Sequence, residues 1–366
     1  MKPEITTSSK KPHYDALDGL RGIAAIAVLI GHYSDIFFAG AARRTLFYPL
    51  SNSFLAVDFF FCLSGFVIAY AYDERMEKIG IKRFFLNRLI RLHPLVMIGA
   101  ILGVMVYLFS PFADNSKPIF FVFFLSLLMI PTPFFVNFER WGSLFPLNGP
   151  TWSLFFEYIA NIFYAIILWR IPRKWLVFTV ALCAAFLVYR AVDVGRLTGG
   201  WSVYSIIDGF ARVCFSFTVG LLMYRYRIIW RHRFGFILPC LLLTGVLIFP
   251  YRWQNGMFDL FWVILILPAI MSLGAGTTVS GVTERICNLL GRISYPLYMT
   301  HFVTILFLTD FYKKCKPLYG KPFFIIISLL LIVFNFVSAY VIMRWVDEPL
   351  RKWLNHILRK NNKTKI

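Results

Sequence analysis

Four side chains of the kinds that move protons, His32, Asp58, Glu157 and His301, sit inside strongly apolar stretches of the sequence. Placing an ionisable group in such a stretch costs a few kcal/mol in lipid, so each one marks a functional position by default. A carboxylate beside an imidazole fixes its tautomer and raises its basicity, as a general base acting on a hydroxyl proton requires. The competing reading is an ion-pair cluster that only holds a helical bundle together. A second group is basic: Lys82-Arg83-Phe-Phe-Leu-Asn-Arg88-Leu-Ile-Arg91-Leu-His93-Pro94 puts Arg88 and Arg91 at i, i+3. On one helix face they could clamp phosphate oxygens bidentately, or they could belong to an amphipathic stretch lying on anionic lipid. Arg21 precedes His32 by eleven residues, about 16 Å along a helix, and is either a site residue or a snorkelling anchor. Asn161 shares a face with Glu157 at i+4, while Ser64 and Gly65 would let helices approach closely.

The elements that must position these groups follow from composition. The chain has 366 residues, 59% apolar, 19% aromatic and 15% charged. Soluble domains carry about a quarter charged residues and about 45–50% apolar ones, so a soluble protein is excluded and a polytopic membrane protein is expected. The formal charge of +20 lies in short segments between apolar runs. Basic residues so placed set membrane orientation, which makes nucleic acid a poor partner. Apolar runs of nearly 20 residues fall at about 17–38, 54–72, 94–110, 118–138, 152–169, 175–191, 206–224, 234–250, 257–275, 290–309 and 323–345. If 118–138, broken by Pro131 and Pro133, dips into the membrane without spanning it, the basic segments Arg75 to Arg91, Arg170 to Lys174, Arg225 to Arg233 and Arg351 to Lys365 all fall on one side. The lysines at 313, 314, 316 and 321 are the exception to that rule.

The expectation is therefore an all-α integral membrane protein of about ten transmembrane helices, one re-entrant or interfacial segment and both termini cytoplasmic. Residues 1–15 form a cytoplasmic N-terminal segment leading into an uncleaved signal anchor, 16–354 the transmembrane domain and 355–366 a basic cytoplasmic tail. In that frame His32, Asp58, Glu157 and His301 all fall in the outer half of the membrane, and Arg88 and Arg91 at the cytoplasmic edge. The six cysteines are scattered singly and read as small core residues, with neither disulfide nor zinc-ligand spacing, and no metal site is expected.

The motifs Arg21-x10-His32, Asp58-Phe-Phe-Phe-Cys-Leu-Ser64-Gly-Phe, Arg88-x-x-Arg91, Trp152-Ser-Leu-x-x-Glu157, Tyr295-Pro-Leu-Tyr298-Met-Thr-His301 and Asp347-Glu-Pro-Leu-Arg-Lys-Trp353, in this order, resemble the membrane acyltransferase family 3. Members O-acylate cell-surface sugars. The resemblance implies an O-acetyltransferase of a bacterial inner membrane that takes an acyl group, acetyl before others, from cytoplasmic acyl-CoA to a cell-surface glycan or lipid-linked saccharide. It implies catalytic roles for His32, Arg21, Glu157 and Asp58, donor binding by Arg88, Arg91 and Ser64, and acceptor binding by Trp152, Tyr298, His301 and Asn161. Tyr158 stands where many members have a second acid, which sets this chain apart from a carboxylate pair there. Some members carry an appended hydrolase-like domain; none is expected here. Direct transfer with His32 as base and an acyl-histidine relay both remain open, as do the acceptor's identity and the oligomeric state. A proton-coupled transporter or flippase of a sugar-linked substrate is the rival reading, because intramembrane Asp, Glu, His and Arg also mark carriers.

Overall fold

The computed structural model describes residues 13–37, 50–111, 113, 118–133, 136, 142–250, 255–315 and 318–363. Much of the expected N-terminal segment, Lys316 and the last three residues of the tail lie outside them. Among the described residues the chain is all-helical, with no strand and one isolated bridge between Ser143 and Ser202. The helices are α1 (Asp15–Phe37), α2 (Ala56–Tyr72), α3 (Met76–Phe109), α4 (Ile119–Leu127), α5 (Thr151–Ile166), α6 (Arg173–Val194), α7 (Ile206–Arg225), α8 (Ile237–Ile248), α9 (Gly256–Phe261), α10 (Leu267–Ala275), α11 (Gly281–Cys315), α12 (Lys321–Ile342) and α13 (Glu348–Lys363). A π turn, Trp262–Ile266, joins α9 to α10 just ahead of Pro268, and another, Met343–Asp347, joins α12 to α13 just ahead of Pro349.

Among the described residues, seven segments are long and apolar enough to cross a membrane: Asp15–Ile36, Ser53–Tyr72, Met76–Phe109, Arg173–Val194, Val203–Arg225, Gly256–Ala275 and Pro322–Lys360. The other three expected spans correspond to α5, α8 and α11. The first two have 16 and 12 residues, about 24 and 18 Å against a hydrocarbon core of about 30 Å. Helix α11 has ample length, but polar residues from Arg292 to Thr304 interrupt its apolar run. Within 118–138 the nine-residue α4 is too short to cross. Residues 134, 135, 137 and 138 of that stretch are outside the described set. The surface suits a lipid solvent: Leu329, Leu330, Val333, Phe334 and Val337 of α12 and Phe178, Leu182 and Val192 of α6 are exposed along their helices. Exposed apolar faces of this extent suit acyl chains, not water.

Two parallel helix pairs frame the interior. Helix α1 lies along α11, with Arg21 at Gly291 and Ser294 and, further along both, Tyr33 at Thr304. Asn335 of α12 donates to both Tyr33 and Thr304 and closes that end. Helix α2 lies along α7, tied by Asp58–Arg212 at one end and Asp73–Arg225 at the other. Between those ties only glycine fits. A Cβ on Gly65 would lie 2.0 Å from the Phe217 carbonyl oxygen, and one on Gly220 2.0 Å from that of Cys62. Close backbone approach of this kind is how small residues join helices in lipid. Gly65→Ala and Gly220→Ala are therefore each expected to destabilise the protein by about 1–3 kcal/mol through overpacking, read as a lower Tm in detergent. An unchanged Tm would mean that α2 and α7 separate freely.

Candidate functional site

A cavity of about 220 Å³ opens between α1, α2, α3, α5 and α11. Its lining includes Arg21, Ser64, Arg88, Arg91, Ser153, Glu157, Arg292, Ser294, Tyr295, Tyr298 and Arg351. Five arginines thus face one carboxylate. Glu157 Oε1 accepts from Arg88 Nη2 at 2.5 Å and from Ser64 Oγ at 2.8 Å. The Arg88 Nε–H is buried with no partner. Arg21 donates to Ser294 Oγ at 3.0 Å and to the Gly291 carbonyl at 2.6 Å, and pairs with Asp18 at 2.8 Å. Arg292 pairs with Glu348 at 2.6 Å, and Arg351 with Asp347. Arg91 has no ion-pair partner among the described residues and is exposed at the cavity's edge. Four of the five arginines are thus ion-paired, which leaves Arg91 and the Arg88 Nε–H as donors open to an anionic ligand.

The far end of the cavity is phenolic. Ser153 Oγ donates to the Pro150 carbonyl at 3.0 Å, so its single proton is spent and the Tyr298 hydroxyl donates to Ser153 Oγ at 2.7 Å. The next turn of α11 carries His301, whose ring centroid is 6.0 Å from that of Tyr298 and 5.5 Å from that of His32, the two imidazoles being stacked at 23°. His301 is fully buried, and its Nδ1 lies 3.0 Å from the Leu297 carbonyl. A carbonyl only accepts, so Nδ1 holds the proton and Nε2, buried without a partner, presents a lone pair. The His32 side chain is 35% exposed, which leaves it as the reachable member of the pair. The positive and imidazole ends of the site are thus joined along one face of α11, through Ser294, Tyr298 and His301.

Of the four proton-moving groups, the structure keeps His32 and His301 together and pairs Glu157 and Asp58 with other residues. Glu157 is committed to Arg88 and to Ser64, not to His32. Asp58 is not beside His32 either. Fully buried, it accepts from Arg212 at 2.7 Å and 3.2 Å, while Arg212 also donates to the Gly199 and Phe54 carbonyls. Trp152 covers this pair, 5.4 Å from the guanidinium carbon, and so serves as a wall of the ion pair. The carboxylate that does neighbour His32 is Asp35, 3.9 Å from Nδ1. Arg21 and His32 occupy opposite ends of the site. Asn161 is buried with both amide ends unpartnered and does not line the cavity. Arg212 was visible as an arginine in the apolar run 206–224, and Asp35 as an acid at i+3 from His32. Arg351 stood in the terminal motif four residues after Asp347, the acid it pairs with. Among the described residues no three His, Cys, Asp or Glu side chains converge as metal ligands.

A family model described as an acyltransferase domain matches residues 14–349. Relatives include a protein of Rhizobium radiobacter named Protein 2 in picA locus, 32% identical over 51% of this chain and 99% of its own length. A Staphylococcus aureus (strain COL) protein provisionally named an O-acetyltransferase is 25% identical over 94% of this chain and 59% of its own. The peptidoglycan O-acetyltransferase OatA of Listeria monocytogenes is 23% identical over 95% of this chain and 57% of its own. The chain thus spans under three fifths to about three fifths of the length of these two O-acetyltransferases. No solved structure matches it.

Proposed function

The chain belongs to the acyltransferase family whose domain model covers residues 14–349, and we propose on that premise that it transfers an acyl group, acetyl before others, from acyl-CoA to a saccharide hydroxyl. One observation carries the reading: a single cavity is lined by five arginines and by Tyr298, whose ring adjoins His301 and, through it, the stacked His32. The positive end suits the phosphates of a nucleotide thioester, with Arg88 and Arg91 as principal ligands and Arg21 beside them. Glu157 and Ser64 hold Arg88 in place for that task. The pantetheine arm runs along α11 toward Tyr298, bringing the thioester to the imidazoles.

There His32 removes the proton from the acceptor hydroxyl as its oxygen attacks the thioester carbonyl carbon. The C–S bond breaks, the ester forms, and the coenzyme thiolate takes the proton back from the imidazolium. Asp35 is placed to steady the charge on His32. An acyl-histidine relay would use the same atoms in two steps. We place the donor side in the cytoplasm and the His32 side at the outer face, because the basic segments on the arginine side satisfy the positive-inside rule. The chain is then an inner-membrane enzyme with about ten helices crossing the bilayer. The O-acetyltransferase names of its relatives support acetyl as the group and a cell-surface glycan as acceptor.

The test is the ester-linked acetyl of surface glycans, weighed by mass spectrometry before and after mild alkali, in cells with and without the protein. An alkali-labile mass that depends on the protein is expected. Paired with it, purified protein given acetyl-CoA and the glycan should release free thiol; a carrier releases none, and failure of both measurements would end the acyltransferase reading. Arg88→Ala combined with Arg91→Ala is expected to raise the KM for acetyl-CoA at least tenfold, on the scale of charged hydrogen bonds, with the effect shrinking at high salt. An unchanged KM would assign these arginines to the lipid surface instead.

A further inference from the structure

Beside Arg21, helices α1 and α11 approach closely enough that glycine alone fits on either side. A Cβ on Gly22 would lie 2.5 Å from that of Leu290, and one on Gly291 2.5 Å from the Cβ of Asp18 and 3.0 Å from its Oδ1. The missing side chains seat Asp18 directly on the α11 backbone. From there its Oδ1 lies 2.8 Å from Arg21 Nη2, at i, i+3 on the same helix face. Its Oδ2 lies 3.4 Å from Nε2 of His13, whose Nδ1 is 3.0 Å from Asp15 Oδ1. Helix α11 holds the same arginine from the other side. Arg21 Nε donates to Ser294 Oγ at 3.0 Å and Nη2 to the Gly291 carbonyl at 2.6 Å, while Ser294 Oγ donates to that carbonyl at 2.8 Å. All three holds fall on the Nε and Nη2 edge of the guanidinium. The Nη1 amino group has no partner among the described residues, so Arg21 keeps two N–H donors despite its ion pair.

Resting on the acyl-CoA reading, we infer that Asp18 is the positioning residue of Arg21: it fixes the rotation of the guanidinium so that Nη1 is offered to the donor. Arg21 lines the cavity and Asp18 does not, so the carboxylate acts through the arginine and touches no ligand. The guanidinium is planar, and fixing one edge fixes the direction of the other. Of the three holds, Ser294 and the Gly291 carbonyl are neutral acceptors; Asp18 supplies the charge-assisted contact, the stronger kind. Without it the long side chain regains rotamers that ligand binding must then freeze, and affinity falls. Two other roles for Asp18 make different predictions. An acid that merely sat near an anion site would oppose the ligand, and its removal would tighten binding. An acid that only complemented the N-terminus of α1 would be matched by Asp15, which shares the first turn of that helix and makes no contact with Arg21.

The experiment is calorimetric titration of coenzyme A into the purified full chain in detergent, for the wild type, Asp18→Ala, Asp18→Asn, Asp15→Ala, Arg21→Ala and the double variant Asp18→Ala, Arg21→Ala. Asp18→Ala is expected to raise the Kd about tenfold. Asp18→Asn keeps an acceptor oxygen for Nη2 and should raise it less, and its unchanged shape carries the test should Asp18→Ala fail to fold. Asp15→Ala should leave the Kd unchanged. In the Arg21→Ala background the loss of Asp18 should add nothing, because a residue that works only through Arg21 has no effect once Arg21 is gone. Binding as tight as wild type or tighter in both Asp18 variants would overturn the positioning role. So would equal losses in Asp15→Ala and Asp18→Ala, or a loss on removing Asp18 that is the same with and without Arg21; each of these leaves acyl-CoA as the donor. Wild-type protein that binds no coenzyme A would overturn the acyl-CoA reading and the positioning role with it.

Discussion

His32→Gln is expected to lower acyl transfer by roughly 10²- to 10⁴-fold, the range general-base catalysis contributes, with the protein still present in the membrane at wild-type level. The abundance follows from what the side chain does in the fold. It stacks on His301 and meets the edge of Phe302 at 5.3 Å, makes no hydrogen bond among the described residues, and is 35% exposed. Glutamine keeps the size and polarity of the residue but cannot carry the proton. The companion His301→Gln separates the two imidazoles. His301 is buried and already donates from Nδ1 to Leu297, so its replacement should cost Tm as well as activity, and activity less than His32→Gln. The readouts are alkali-labile acetyl on the glycans and thiol release, at matched membrane levels. Retention of more than a tenth of activity by His32→Gln would remove His32 from the base role, and a reversal of the two effects would move that role to the Nε2 lone pair of His301.

How much of this is legible in the sequence differs by element. Helix α1, α2, α3, α6, α7, the α9–α10 segment and the α12–α13 segment announce themselves by unbroken apolar length. The marginal ones, α5, α8 and α11, are those whose faces line the interior or whose length is short, because a helix that supplies Glu157 or His301 to a site gives up apolar residues to do so. The positive cluster was readable because Arg88 and Arg91 are neighbours at i, i+3 on one helix. The proton-moving cluster was only half readable. Depth along each span can be counted at 1.5 Å per residue, but rotation about the helix axis and the choice of neighbour cannot. That is why Glu157 turned out to face Arg88 and Ser64, and why Asp58 had an unforeseen partner in Arg212. The arginine was in plain view in an apolar run, yet no local spacing ties position 58 to position 212.

That pair yields the second large effect, because Asp58→Asn is expected to reduce stability by about 3–5 kcal/mol, the cost of leaving one charge of a buried pair uncompensated. Arg212 is 0% exposed and Asp58 1%, so water cannot substitute for the lost carboxylate. The guanidinium would keep its bonds to the Gly199 and Phe54 carbonyls and its place against Trp152, but its charge would face only dipoles. Low abundance and a low Tm of Asp58→Asn alone would also follow if Asp58 were catalytic and structurally important together. The double variant Asp58→Asn, Arg212→Gln removes that ambiguity. It deletes both charges, keeps hydrogen-bonding groups for the two carbonyls, and should recover most of the lost Tm, as neutral replacements of buried pairs commonly do. If the pair only fastens α2 to α7 and the loop before α7, acyl transfer should return with the fold. A double variant that is stable and inactive would instead place Asp58 or Arg212 in the chemistry. The geometry argues for the first outcome: both carboxylate oxygens of Asp58 already accept from Arg212, and the imidazole of His32 has its own carboxylate in Asp35.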